Sequence, residues 1–183
     1  MDKYIDITLM PDPEFETQQL MNALFSKLHR AIGEAAPGEI GVSFPKAGKR
    51  LGDQLRLHGT QESLAALMAM PWLQGMRDYC QVSDCKSVPD NVQYRTVRRI
   101  QAKSAHNKRK RSIRKGWLTE EEALERIPEE QQKVLKQPFI QMRSLSNGNP
   151  MRVYVEHGPV RDEPVTGEFN SYGLSAQATI PWF

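Results

Sequence analysis

LGDQLRLHGTQESLAALMAMPWLQGMRDYCQV, residues 51–82, is the stretch on which the fold turns. Its opening LGDQLRLHG puts Leu51, Leu55 and Leu57 on one side of an extended chain, the pattern of a half-buried strand. From Thr60 to Glu62 a helix begins, rich in Leu, Ala and Met. Pro71 ends or kinks it, because proline lacks an amide hydrogen and its ring clashes with the preceding turn. CQVSDCKSVP, from Cys80, supplies another strand, so the stretch reads strand, helix, strand.

Upstream, Tyr4 to Leu9 alternates as a short strand. PDPEF then opens a segment with Phe15, Leu20, Ala23, Leu24, Leu28, Ala31 and Ile32 mostly at helical spacing. AAPGE breaks that helix, and IGVSF reads as a strand leading through a Lys- and Gly-rich turn into residue 51. The order becomes strand, helix, strand, strand, helix, strand, which predicts an α+β protein whose first domain, residues 1–90, is ferredoxin-like. A second domain is expected over residues 91–183.

Charge marks out that second part. RRIQAKSAHNKRKRSIRKG, residues 98–116, holds nine Lys or Arg residues and no acid. Taking those nine from the chain's 25 basic residues leaves 16 against 22 acidic ones, a net charge of −6 outside the block. Such a local block is the footprint expected for a polyanion, nucleic acid first; a solvated surface, anionic lipid or an acidic protein are the other readings. Residues 104–115 lack proline and glycine, so a basic helix capped by Ser104 and ended by Gly116 is expected. Like charges at i,i+3 and i,i+4 repel, and something negative should stabilise it. LTEEEALERI follows, with Thr119 and Glu122 in a capping-box pattern, and its acids are an intramolecular candidate for that role. NVQYRTVRRIQAK before the block reads as an extended link. PFIQMRSLS and MRVYVEHG, joined by NGNP, read as a hairpin, with GEFNSYGLS and TIPWF as shorter extended pieces.

Several function classes drop out. There is no P-loop, dinucleotide fingerprint, HExxH or cysteine cluster, and the acids are too scattered for a two-metal nuclease. Cys80 and Cys85 read as ordinary thiols. No apolar run approaches a membrane span, and MDKYIDITLM carries acids where a signal peptide is basic, so the expectation is a soluble cytoplasmic protein without cofactor or metal. What remains for chemistry is RNA cutting itself, its 2′-hydroxyl attacking the adjacent phosphate once a side chain removes the proton. Histidine, with an ordinary pKa near 6.5, suits that task. The four candidates are His29 beside the apolar stripe of the first helix, His58 at a strand end, His106 in the basic block and His157 before a Gly-Pro turn. Charge alone favours His106.

HxxI in the first helix, IGVSFP, YRTVRRIQAKS leading into the basic helix, MRSLSNG, and YGLS followed by PWF together narrow the field. In that combination the chain resembles the CRISPR-associated endoribonuclease that processes precursor CRISPR RNA in subtype I-F systems, and the likeness runs along essentially the whole chain. The resemblance implies a ferredoxin-like domain and a smaller C-terminal domain with an arginine-rich helix. It implies binding to the CRISPR repeat stem-loop and metal-free cleavage at the 3′ base of the stem, leaving a 2′,3′-cyclic phosphate and a 5′-hydroxyl. The enzyme would then stay on the guide RNA among the other protein subunits of a type I-F surveillance complex. Matched by motif, the catalytic residues fall on His29, Ser144 and Tyr172, with Ser146 supporting, and base reading falls on Arg99 and Gln101. Lys103, Lys108, Arg109, Lys110, Arg111, Arg114 and Lys115 would meet the RNA backbone and groove. Met151 stands where the family pattern has an aromatic on the terminal base pair, and the basic helix is thinned at Ser112, Lys115 and Gly116. Two further readings compete: a non-catalytic stem-loop binding subunit, and a DNA-binding or ribosome-associated module.

Overall fold

The computed structural model describes residues 1–101, 105–128, 135–144 and 148–183. Strand β1 (Lys3–Leu9) leads to helix α1 (Thr17–Ala35), then β2 (Gly41–Ser43), β3 (Gln54–Gly59), α2 (Gln61–Ala69) and β4 (Cys80–Val82). These strands lie in the order β2-β3-β1-β4, every neighbouring pair antiparallel, and the short β5 (Lys86–Ser87) adds to β1. Mixed helix and antiparallel sheet make the protein α+β.

Local chemistry sets the helix ends. Asp12 Oδ1 accepts from the amides of Glu14 and Phe15, a turn that delays α1 until Thr17. Phe15 is therefore outside the helix and exposed, and Ala23 is on the outer face; neither joins the core expected of them. Leu20, Met21, Leu24, Phe25, Leu28, Ala31 and Ile32 form the buried stripe, packing with Ile5, Ile7, Leu55 and Leu57 of the sheet. Thr60 caps α2 by accepting from the Ser63 amide, and Met70 closes it just before Pro71. Leu51 is buried but precedes β3.

The segment read as an extended link forms two strands, β6 (Gln93–Arg95) and β7 (Val97–Ile100). Helices α3 (Ala105–Arg114) and α4 (Glu120–Arg126) follow, then the hairpin β8 (Phe139–Arg143) and β9 (Pro150–His157), and finally β10 (Ile180–Trp182). β10 pairs with β6, while β7, β9 and β8 form a three-stranded sheet in that order. GEFNSYGLS is a loop rather than an extended piece. By packing the chain divides into two compact units, Met1–Arg99 with Gln137–Phe183, and Ile100–Lys136.

Candidate active site

His29 lies in the last third of α1, 8% exposed at the margin of the apolar stripe. Its Nδ1 is 2.7 Å from the carbonyl oxygen of Ser171. A carbonyl only accepts, so Nδ1 carries the proton and donates. The neutral ring is thereby held in the tautomer whose Nε2 offers a lone pair. Tyr172 stacks on that ring, with centroids 4.1 Å apart and 7° between planes. Phe25 lies parallel to Tyr172 at 6.4 Å, and the Arg99 guanidinium sits 5.1 Å from the tyrosine ring centre.

The loop that presents Tyr172 is built on Asn170. Its Oδ1 accepts from the amides of Tyr172 (2.9 Å) and Leu174 (3.2 Å), and its main chain exchanges bonds with Gly173 and Leu174. Gly173 has φ +69°, a region that favours glycine, and a Cβ there would stand 2.3 Å from Val42 Cγ2. The Gly173 carbonyl in turn accepts from the Val42 amide, tying the loop to β2. Asn170 and the Ser171 carbonyl were missed in the sequence; the N-x-x-G spacing of a side-chain-nucleated turn was the available signal.

Ser144 follows β8, its amide donating to Asn149 O and its carbonyl accepting from Gly148 N. β8 runs alongside α1 in the same direction. Gln18 Nε2 donates to Phe139 O, and the Gln141 amide donates to Asn22 Oδ1. From Asn22 to His29 the helix climbs ~10 Å at 1.5 Å per residue. From Gln141 to Ser144 the strand advances about the same at 3.3 Å per residue. Both elements thus run from these two contacts toward the ends that carry His29 and Ser144. Ser146 lies outside the described residues.

Residues 4–183 match the family described as CRISPR-associated protein (Cas_Csy4). The chain belongs to that family. It is 48% identical over 184 residues to a protein of Escherichia coli (strain UTI89 / UPEC) and 45% identical over 187 residues to one of Pseudomonas aeruginosa (strain UCBPP-PA14). Both are called CRISPR-associated endonuclease Cas6/Csy4, and each match covers all of both chains.

The other histidines of this Csy4-family chain have different surroundings. His58 is fully buried, with Nε2 2.8 Å from Ser43 Oγ and Nδ1 without a protein partner among the described residues. Burial, aided by the Arg56 charge, pushes its pKa down to about 3. His157 is packed near Phe44 and Trp182, and burial with the Arg95 charge lowers it to about 4. His106 is exposed on α3, with no hydrogen bond or ring contact among the described residues.

The basic segment is less uniform than its sequence. Arg98 is paired with Glu156, and Arg109 Nη1 donates to the carbonyl of Ile127 at 2.8 Å, fastening α3 to the end of α4. Lys110, Arg111, Arg114 and Lys115 are exposed, the last with its ammonium 4.6 Å from the Trp117 ring centre; Lys108 is half-buried. Gln101 is exposed, and Lys103 and Ser104 lie outside the described residues. Met151 is half-buried on the side of β9 that also carries Val153 and Val155, packed against the core and opposite Met142. Among the described residues no three His, Cys, Asp or Glu side chains group as metal ligands, and no helix is long and apolar enough to cross a membrane.

Proposed function

We propose that the chain is a metal-independent endoribonuclease that binds the stem-loop of a CRISPR repeat and cuts precursor CRISPR RNA at the 3′ base of the stem. The observation that carries this reading is the His29 imidazole, held by the Ser171 carbonyl and the Tyr172 ring with Nε2 left as a base. His29 Nε2 takes the 2′-proton, the 2′-oxygen attacks phosphorus, and the bond to the 5′-oxygen breaks. The products are a 2′,3′-cyclic phosphate and a 5′-hydroxyl, the leaving oxygen taking up a proton. Ser144 holds the attacking hydroxyl or its nucleotide, with Ser146 in support, and Tyr172 orients the imidazole. Arg99 and Gln101 read bases at the foot of the stem. Lys103, Lys108, Lys110, Arg111, Arg114 and Lys115 take phosphates, Arg109 sharing that role with its bond to Ile127, and Met151 covers the terminal base pair.

The same proposal makes residues 1–90 a ferredoxin-like domain, a reading supported by the strand order β2-β3-β1-β4 with α1 and α2 as crossovers. Residues 91–183 are then the RNA-binding part. The enzyme works in the cytoplasm and stays on its product as a subunit of a larger ribonucleoprotein. The names of the two bacterial relatives support the endonuclease class. A hairpin RNA incubated with the protein in EDTA should be cut, and the same RNA with a 2′-deoxy scissile nucleotide should bind without being cut. His29→Ala should lower the single-turnover rate by ~10²- to 10⁴-fold with little change in hairpin affinity. Equal binding with no cleavage of either RNA would make the chain a binding subunit instead.

A further inference from the structure

The carbonyl that holds His29 and an amide held by Asn170 belong to one peptide group. Ser171 O accepts from His29 Nδ1 at 2.7 Å, and the next amide, Tyr172 N, donates to Asn170 Oδ1 at 2.9 Å. A peptide group is planar and, here, trans, so its C=O and N–H point in opposite directions. Fixing the N–H on one side therefore fixes the direction of the C=O on the other. Donation from the N–H also polarises the group and strengthens the carbonyl as an acceptor. Asn170 Oδ1 accepts a second bond, from Leu174 N at 3.2 Å. Gly173 N donating to Asn170 O, and Asn170 N donating to Leu174 O, close the turn. The rest of the loop is tied by main-chain bonds from Phe169 N to Gly38 O, from Val42 N to Gly173 O and from Ser175 N to Val97 O. Among the described residues, His29 and Asn170 supply the only side chains bonded to the main chain of residues 171–174. Asn170 is itself exposed, so core packing does not account for it.

We infer that Asn170 is a positioning residue for cleavage, which keeps the proton of the His29 ring on Nδ1 through the Ser171–Tyr172 peptide group. The inference rests on the reading of His29 Nε2 as the base that takes the 2′-proton. With the peptide free to turn, Nδ1 loses its acceptor and the proton can sit on either nitrogen. A neutral ring with its proton on Nε2 has no lone pair there to offer the 2′-hydroxyl. Asn170 need not touch RNA, so its loss lowers the rate and spares hairpin affinity.

The test compares Asn170→Ala with Asn170→Asp, which keeps an acceptor oxygen, and with Ser175→Ala, which removes the neighbouring side-chain turn onto the amides of Gln177 and Ala178. NMR of the nitrogen-labelled, RNA-free protein at ~pH 8.5, above the ordinary histidine range, reads which His29 nitrogen carries the proton. The unaltered protein, Asn170→Asp and Ser175→Ala should show Nδ1 protonated and Nε2 bare. Asn170→Ala should show the proton shared between the two. The single-turnover rate on a hairpin RNA should fall ~10- to 10²-fold in Asn170→Ala, the scale set by misplacing a catalytic group by ~1 Å. It should be kept in Asn170→Asp and Ser175→Ala, and the Kd for the 2′-deoxy hairpin should be the same in all four proteins. Ring nitrogens unchanged in Asn170→Ala overturn the inference, as does a fall in rate that Asn170→Asp does not reverse or that Ser175→Ala shares. If His29→Ala loses cleavage in any of these cases, only the role of Asn170 falls and the base reading stands. If His29→Ala cleaves at the ordinary rate, the base reading fails and the inference with it.

Discussion

At the scale of single residues, three histidines are chemically separated by what their ring nitrogens meet. His29 donates from Nδ1 to a main-chain carbonyl and keeps Nε2 as an acceptor, whereas His58 and His157 are held neutral by burial beside arginines. Charge along the sequence pointed to His106, which is exposed; the deciding contacts come from residues 142 and 143 positions away from His29, beyond the reach of any local pattern. The family resemblance supplied His29 and Tyr172 because it reads such distant pairings as motifs. Met151 raises the opposite problem. Its β9 neighbours on the same side, Val153 and Val155, are buried, and Met151 itself is half-buried against the core. Met151→Phe should therefore overpack the hairpin at a cost of ~1 to 3 kcal/mol. A lowered melting temperature with unchanged or weaker hairpin Kd is the expected result; a fully stable variant that binds more tightly would place residue 151 against the terminal base pair.

At the scale of elements, what was legible depended on whether an element's stabilising groups lie close in sequence. The helix start near Thr60, the cap at Thr119 and the stop at Pro71 were readable because each acts within four residues. β6 and β7 were read as a link because their partners, β10 and β9, lie far along the chain and the segment offers no alternating apolar pattern. The basic helix was legible as an element, but not the division of labour among its arginines. Arg109 spends a donor on Ile127 O, while Arg111 and Arg114 are exposed. Arg111→Ala with Arg114→Ala should weaken hairpin binding and flatten the slope of log K against log salt by up to ~0.9 per lost phosphate contact, with little effect on stability. Arg109→Ala should instead loosen the α3–α4 pair, seen as faster amide exchange in residues 105–126, because a half-buried carbonyl loses its charged donor. Equal salt slopes for the unaltered protein and the Arg111, Arg114 variant would mean the exposed face of α3 does not meet phosphate.

At the scale of the whole molecule, the buried histidines tie stability to pH. Both His58 and His157 have folded pKa values below the ordinary 6.5, at about 3 and about 4. As pH falls below 6.5 the unfolded chain takes up protons that the folded chain refuses, so protonation favours unfolding. Stability from these two groups is complete above ~pH 7 and declines below it, each contributing a slope of up to ~1.4 kcal/mol per pH unit. That loss ends at about pH 4 for His157 and about pH 3 for His58. Protonated His58 would stand beside Arg56, which already forms a largely buried pair with Asp6 and donates to the main-chain oxygen of Phe183. The penalty therefore falls on the contact joining β1, β3 and the final residue. Urea midpoints measured between pH 5 and 6.5, above the ordinary carboxylate range, isolate the histidine share. His58→Gln, which keeps a hydrogen-bonding group toward Ser43, should flatten the pH slope of unfolding there even while lowering stability at pH 7, and His157→Gln should flatten it independently. A slope unchanged in both variants would mean that the rings titrate alike in the folded and unfolded chain, and that the burial of His58 and His157 does not exclude their protons.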